Sequence, residues 1–318
     1  MEIGLALPQF DFSVPGEQPL RWETLLHWAT RADALGFDSV WLADHLFFSI
    51  EKYGGAPGEH GVFDPIVALG AIARATERVR LGTLVLCAQL RPPRVLAKAL
   101  ATLDVVSGGR LTVGLGAGWY EAEYVAAGIP FERPGVRLRQ LAQTVATLKE
   151  LFADDDLGPA PIQRPRPPIW VGGRGDQLLQ VCADHADGWN TVWAWTFDAY
   201  RERAATLDAA CARVHRDPGS VTRSLGLFAL VGETPSDLTH RYERLQRLTP
   251  KGVLDGMSLA QWREGRLVGT VEDVREQLQR WAGLGVSAII VGAGGLPFTV
   301  ASPDDVEMLA AACSLEAP

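Results

Sequence analysis

A closed parallel (β/α)8 barrel is the fold this chain predicts, on three observations. Eight short β-rich runs alternate with longer stretches whose apolar residues recur at a period near 3.6, as strands interleaved with amphipathic helices do. The three segments that break the alternation, near 47–63, 119–134 and 232–266, each follow a strand, where a barrel carries its variable rim. At 318 residues with 47% hydrophobic content, the chain can bury one sizeable core, which makes 1–318 a single barrel domain. An open doubly wound sheet is the competing arrangement; eight strands with one helix each favour closure.

Taken in order, residues 3–8 form the first strand. Residues 29–36 are a helix tail stopped by Gly36, so the second strand, 39–42, is clearly bracketed. It runs into Ala43, Asp44 and His45, placing a carboxylate and an imidazole side by side at a strand's C-terminal end, where barrels hold their chemistry. The third strand spans 80–86, and Leu96, Ala99, Leu100, Leu103 and Val106 share one face of the helix after it. The fourth, 111–115, leads into Gly116 and Gly118; Leu138, Leu141, Val145, Leu148 and Phe152 mark the following helix. Proline-rich 159–168 is a stiff connector and not a domain linker, because a strand at 169–172 follows at once. Gly173, Arg174 and Gly175 then open a helix from Gln177. Strands at 188–192 and 224–231 come next, and inside the long excursion 241–248 reads as helix, ended at Pro250. The last crossover helix turns Val271, Val274, Leu278 and Trp281 inward, with Thr270 and Asp273 as an N-cap arrangement, before the final strand at 288–291.

Several function classes lack their parts. A net charge of −8 without a dense Lys/Arg run disfavours a polyanion-binding surface, so no nucleic-acid partner is expected. No apolar stretch approaches the ~20 residues of a membrane span, and the N-terminus lacks the charged-then-apolar pattern of a secretory leader. Cys87, Cys182, Cys211 and Cys313 are widely spaced, which suits reduced thiols in a cytoplasmic protein. No metal-ligand spacing and no Gly-x-Ser-x-Gly elbow occurs.

What remains is glycine and aromatic surface. Gly114, Gly116 and Gly118 alternate on one strand face, where no Cβ blocks a flat ligand, although as a dinucleotide fingerprint the run is weak. The other reading of these glycines is close barrel packing. Gly173 and Gly175 free backbone N–H groups at a helix start to bind an anion, with Arg174 as a charged fork. Trp41, Trp119, Trp170, Trp189, Trp193 and Trp195 lie in or beside strands near the rim, as packing or as walls for a planar ligand. His60 sits in a rim loop that could reach the pocket; His27, His185, His215 and His240 read as surface or helical residues.

The motifs Gly4-Leu-Ala-Leu-Pro8, Ser39-Val-Trp-Leu-Ala-Asp-His45, Arg80-Leu-Gly-Thr-Leu-Val85, Ser107-Gly-Gly-Arg110, Gly114-Leu-Gly-Ala-Gly-Trp119, Pro167-Pro-Ile-Trp-Val-Gly-Gly173 and Ala186-Asp-Gly-Trp189 resemble, in order and spacing, the bacterial luciferase-like monooxygenase superfamily. The branch most similar uses the deazaflavin coenzyme F420. The resemblance implies an F420-dependent oxidoreductase moving hydride to or from a small organic substrate, working as a homodimer through the helices after strands 2 and 3. An FMNH2- and O2-dependent monooxygenase, with FMN as cofactor, is the alternative, and a flavin-binding barrel without turnover a third. It also implies roles for particular residues. Asp44 borders the cofactor ring and His45 handles the proton. Leu84 and Val85 carry a non-prolyl cis peptide behind the ring, and Cys87 stands where some relatives place a hydroxyl. Gly118 approaches the ring, while Gly173, Arg174 and Gly175 hold the phosphate. Trp119 occupies the position of a catalytic glutamate in sugar-phosphate dehydrogenases, which disfavours that substrate class. A short segment at 153–161 implies an open mouth, or a lid built from 232–266.

Overall fold

The structure, a computed structural model, describes residues 1–154 and 158–313. Its strands are β1 (Glu2–Ala6), β2 (Ser39–Leu42), β3 (Arg80–Thr83), β4 (Leu86–Cys87), β5 (Leu111–Gly116), β6 (Ile169–Gly172), β7 (Gly188–Thr191), β8 (Thr222–Gly232), β9 (Leu267–Thr270) and β10 (Ala288–Gly292). All the pairings among them are parallel, and the ring closes where β10 pairs with β1 on one side and with β8 on the other. Leaving out β4 and β9, eight strands complete the circuit. This is the predicted (β/α)8 barrel.

The helices are α1 (Trp22–Ala34), α2 (Pro65–Ala75), α3 (Pro93–Val106), α4 (Glu121–Ala126), α5 (Pro134–Phe152), α6 (Asp176–His185), α7 (Phe197–Arg213), α8 (Pro235–Leu248), α9 (Leu259–Trp262), α10 (Val271–Gly283) and α11 (Pro303–Ala312). Their apolar stripes, Leu25, Leu69, Leu100, Leu141 and Leu207 among them, bury against the outer face of the ring. Inside the ring the indoles of Trp41 and Trp170 stack with centroids 5.2 Å apart. They fit because the neighbouring strands offer glycine. A Cβ on Gly82 would stand 2.1 Å from the Trp41 ring, and one on Gly188 would stand 2.4 Å from Trp170. The Thr270/Asp273 N-cap is a full capping box on α10.

Four expectations are corrected. The strand expected at 80–86 stops at Thr83 and resumes as β4 against β5, with the Leu84–Val85 peptide cis between them, as the resemblance implied. Residues 267–270 form a ninth run, β9, which pairs with the outer half of β8 beyond the ring. The helix expected at 241–248 begins at Pro235, because Thr234 accepts the Asp237 N–H and proline suits the first turn. Val106 is exposed and Asp104 takes the inner position, where its carboxylate accepts the N–H groups of Ile162 and Gln163 at 2.7 and 3.0 Å. The proline-rich connector is thereby tied to α3. Of the segment expected to be a short cover, 153–161, residues 155–157 lie outside the described residues.

Candidate functional site

The C-terminal ends of the strands open into a cavity of about 870 Å³ lined by strand ends and by all three rim excursions. Phe48, Lys52 and Tyr53 come from the first excursion, Trp119, Glu123 and Tyr124 from the second, and Leu254, Met257, Trp262 and Arg266 from the third. The first and third meet over the mouth. A Cβ on Gly252 would lie 2.1 Å from the Gly54 carbonyl oxygen, and both residues hold φ near +90°, which favours glycine.

His45 follows β2 and lines the cavity. Its Nδ1 lies 3.0 and 3.1 Å from the two carboxylate oxygens of Glu123 on α4, and Glu123 also accepts the Leu46 N–H at 2.6 Å. A carboxylate only accepts, so Nδ1 carries the proton. Nε2 makes no hydrogen bond among the described residues. Phe10, Phe48 and Trp119 surround the ring, with Phe48 edge-on at 4.8 Å.

Asp44 is buried, and both of its hydrogen bonds fall on Oδ2. It accepts the Cys87 N–H at 2.9 Å and Arg91 Nη1 at 2.7 Å, while Arg91 Nη2 reaches Asp64 at 2.7 Å. Asp64 in turn caps α2. Burial pushes the Asp44 carboxyl up, with Arg91 and the Cys87 N–H opposing it. The chain of contacts ties the end of β2 to β4 and to the start of α2.

The Leu84–Val85 bulge forms a wall of the cavity, and it explains two glycines. A Cβ on Gly114 would stand 2.0 Å from the Thr83 carbonyl oxygen, and one on Gly116 2.7 Å from Val85. The room a Cβ would take at 114 and 116 is thus filled by the chain itself, while Gly116 also lines the cavity. Gly118 lines the cavity at φ +69°, and a Cβ there would meet the Tyr124 hydroxyl at 1.9 Å. Cys87 also lines the cavity, with Sγ 3.2 Å from that hydroxyl and 3.5 Å from Gln89 Oε1. Burial raises the thiol's pKa.

Gly173 and Arg174 reach the cavity edge between β6 and α6. Gly175 is the N-cap of α6, and no side chain caps that helix start. Arg174 is exposed and forms no ion pair among the described residues. His60 does not join the cavity: its ring packs edge-on against Phe12 at 5.0 Å, and its backbone bridges to Phe48.

Four participants had no role assigned from sequence: Glu123, Arg91, Lys52 and Arg266. Lys52 lies with Nζ 3.4 Å from the centroid of Trp119, beside Phe48 and Tyr53. The residue is exposed as a whole, yet burial of its charged group pulls the pKa down to about 8, with Glu123 opposing. A lysine flanked by Phe47, Phe48 and Tyr53 was the available cue. Among the described residues, no group of three or more His, Cys, Asp or Glu could hold a metal ion, and no helix is long and apolar enough to cross a membrane.

Fold and cavity together place the chain among the (β/α)8 barrels whose ligand site is the C-terminal rim. Residues 1–288 match the luciferase-like monooxygenase family, and the chain belongs to it. It is 28% identical over 239 residues to a phthiodiolone/phenolphthiodiolone dimycocerosates ketoreductase of Mycobacterium sp. (strain JLS), a match spanning 66% of this chain and 63% of that relative's length. It is 27% identical over 312 residues to the F420-dependent hydroxymycolic acid dehydrogenase of Mycobacterium tuberculosis, covering 92% of this chain and 82% of the relative. An F420-dependent secondary alcohol dehydrogenase, solved with an F420–acetone adduct, shares the fold with TM-score 0.76 at 19% identity, covering 98% of this chain and 97% of that one.

Proposed function

We propose that this chain is an F420-dependent oxidoreductase that moves hydride to or from a small organic substrate. The observation that carries the reading is an imidazole braced by a buried carboxylate, open to a large cavity beside the Leu84–Val85 wall. Membership of the luciferase-like family and the F420-dependent relatives support it. The residues present fit the cofactor: an apolar wall suits a flat ring, and an unpaired arginine beside an uncapped helix start suits a phosphate.

When bound, F420 would supply a hydride centre at its C5. Leu84 and Val85 would back the ring, Gly118 would lie at its edge, and Asp44, held by Arg91, would border it. Cys87 would stand beside the ring as a weak donor at best, its thiol being turned to Tyr124. Arg174 and the N–H groups of Gly173 and Gly175 would hold the phosphate. His45 would give or take the proton at Nε2, with Glu123 fixing the tautomer through Nδ1. Phe48 and Trp119 would keep water from that proton. Titration of the purified protein with F420 in both redox states and with FMN tests the reading. F420 is expected to bind at least about tenfold tighter than FMN, a difference of ~1.4 kcal/mol, and Arg174→Ala to remove at least that much. Preference for FMN would favour oxygen-dependent monooxygenation, the other chemistry of the family; binding of neither would leave a non-catalytic barrel.

Two further readings accompany this one. We propose a homodimer joined through α2 and α3, where Val67 and Val95 are 75% and 61% exposed. Sedimentation should give twice the chain mass, and Val67→Glu with Val95→Glu should halve it; a parent protein sedimenting as one chain would rule the dimer out. The free cysteines fit a reducing compartment, which supports a cytoplasmic protein; quantitative thiol labelling in cytoplasmic extract, against none in the medium, checks it.

A further inference from the structure

Arg266 stands out among the charged groups of the cavity. Asp44 is paired with Arg91, Glu123 holds His45, Lys52 lies on the face of Trp119, and Arg174 belongs to the helix start of α6. Arg266 comes from the third excursion, just before β9, and lines the cavity beside Phe228 and Trp262, its guanidinium carbon 5.5 and 5.4 Å from their ring centroids. Its Nη1 donates to the carbonyls of Trp262 and Glu264 at 2.6 and 3.1 Å. Those bonds fix the plane of the fork. Nε is shut off from water and has no acceptor, and Nη2 makes no hydrogen bond among the described residues. No carboxylate lies within ion-pair distance of it among the described residues. Buried donors are normally satisfied, and leaving one unmade is costly. An arginine fixed by carbonyls, with Nη2 unfilled and no counter-ion, is set up to donate to an oxyanion in the cavity.

The surroundings say what carries that anion. Trp193 packs against both Phe228 and Phe298 with centroids 5.4 Å away, and Leu254 and Met257 complete an apolar wall. Burial lowers the pKa of Arg266, in keeping with a cation that lacks its counter-ion.

We propose that Arg266 is the specificity residue for the substrate, binding a carboxylate on an otherwise apolar organic molecule whose body lies against Trp193, Phe228 and Phe298. The inference rests on the oxidoreductase reading for calling that molecule a substrate. The binding itself is tested separately.

Calorimetric titration with phenylbutyrate and with phenylbutanol, a matched acid and alcohol, tests it on the purified chain with and without F420. The acid is expected to bind at least about tenfold tighter than the alcohol, in line with a hydrogen-bonded charge pair. Arg266→Gln should bring the two within about threefold, Arg266→Lys should keep part of the preference, and neither should change the F420 titration. The lysine variant separates loss of charge from loss of fold. Equal affinity for acid and alcohol in the parent protein would overturn the proposal, as would a preference surviving in Arg266→Gln. A fall in F420 affinity in Arg266→Gln as large as the fall for the acid would also overturn it, by assigning the arginine to the cofactor's own anionic groups. If F420 fails to bind while the acid preference stands and depends on Arg266, the oxidoreductase reading fails and this one holds.

Discussion

Turnover by a His45→Ala variant is expected to fall by about two to four orders of magnitude, the usual worth of a positioned acid–base group, while F420 affinity changes by less than about threefold. Among the described residues, the imidazole is the cavity group with one ring nitrogen left unbonded and its opposite nitrogen anchored to a carboxylate, at 3.0 Å. Alanine removes the proton carrier and leaves the ring wall of Leu84 and Val85 in place. Glu123→Ala should cost less, since Nε2 survives, but Nδ1 and the Leu46 N–H would both lose their acceptor and the tautomer would no longer be set. Following the cofactor's visible absorbance with a substrate found by screening measures both. A His45→Ala protein as fast as the parent would remove His45 from the proton path.

Gly82→Val is expected to destabilise the fold by about 3 kcal/mol or more, the upper range of overpacking. The added Cβ alone would fall 2.1 to 2.4 Å from three ring atoms of Trp41. That indole has no retreat: it is buried, stacked on Trp170, bonded through Nε1 to Ser39 Oγ at 2.8 Å, and bounded by Gly4. Gly82→Val with Trp41→Leu should recover part of the loss, because the smaller side chain vacates the contested volume. Thermal unfolding followed by near-ultraviolet circular dichroism reads both variants. An unchanged midpoint in Gly82→Val would mean the ring interior is not packed by these indoles.

The eight barrel strands were legible because each is a short β-rich run between helices, and helix starts such as Thr270 with Asp273 carry their own polar signature. The break in the third strand was not legible from its composition. Residues 80–86 read as continuous β-formers, and the turn at Leu84 is dictated by what packs behind it at Gly114 and Gly116. β9 escaped because four residues after a long excursion carry little periodicity. The Asp44-His45 pair was visible as chemistry at a strand end, but its partners were not: Arg91 is 47 residues away and Glu123 is 78 from His45. Local pattern cannot report contacts at that separation. Lys52 and Arg266 were hidden for a different reason, since each looks like an ordinary surface cation until the aromatic rings around it are in place.

The backbone contact of Gly54 with Gly252 gives the mouth the character of a collar and not of a door. Either loop, swinging outward alone, would part from the other, so this contact favours passage set by the girth of what enters over passage timed by a flap. A slender molecule would thread in lengthwise, its far end left outside in water while its leading end reaches the imidazole.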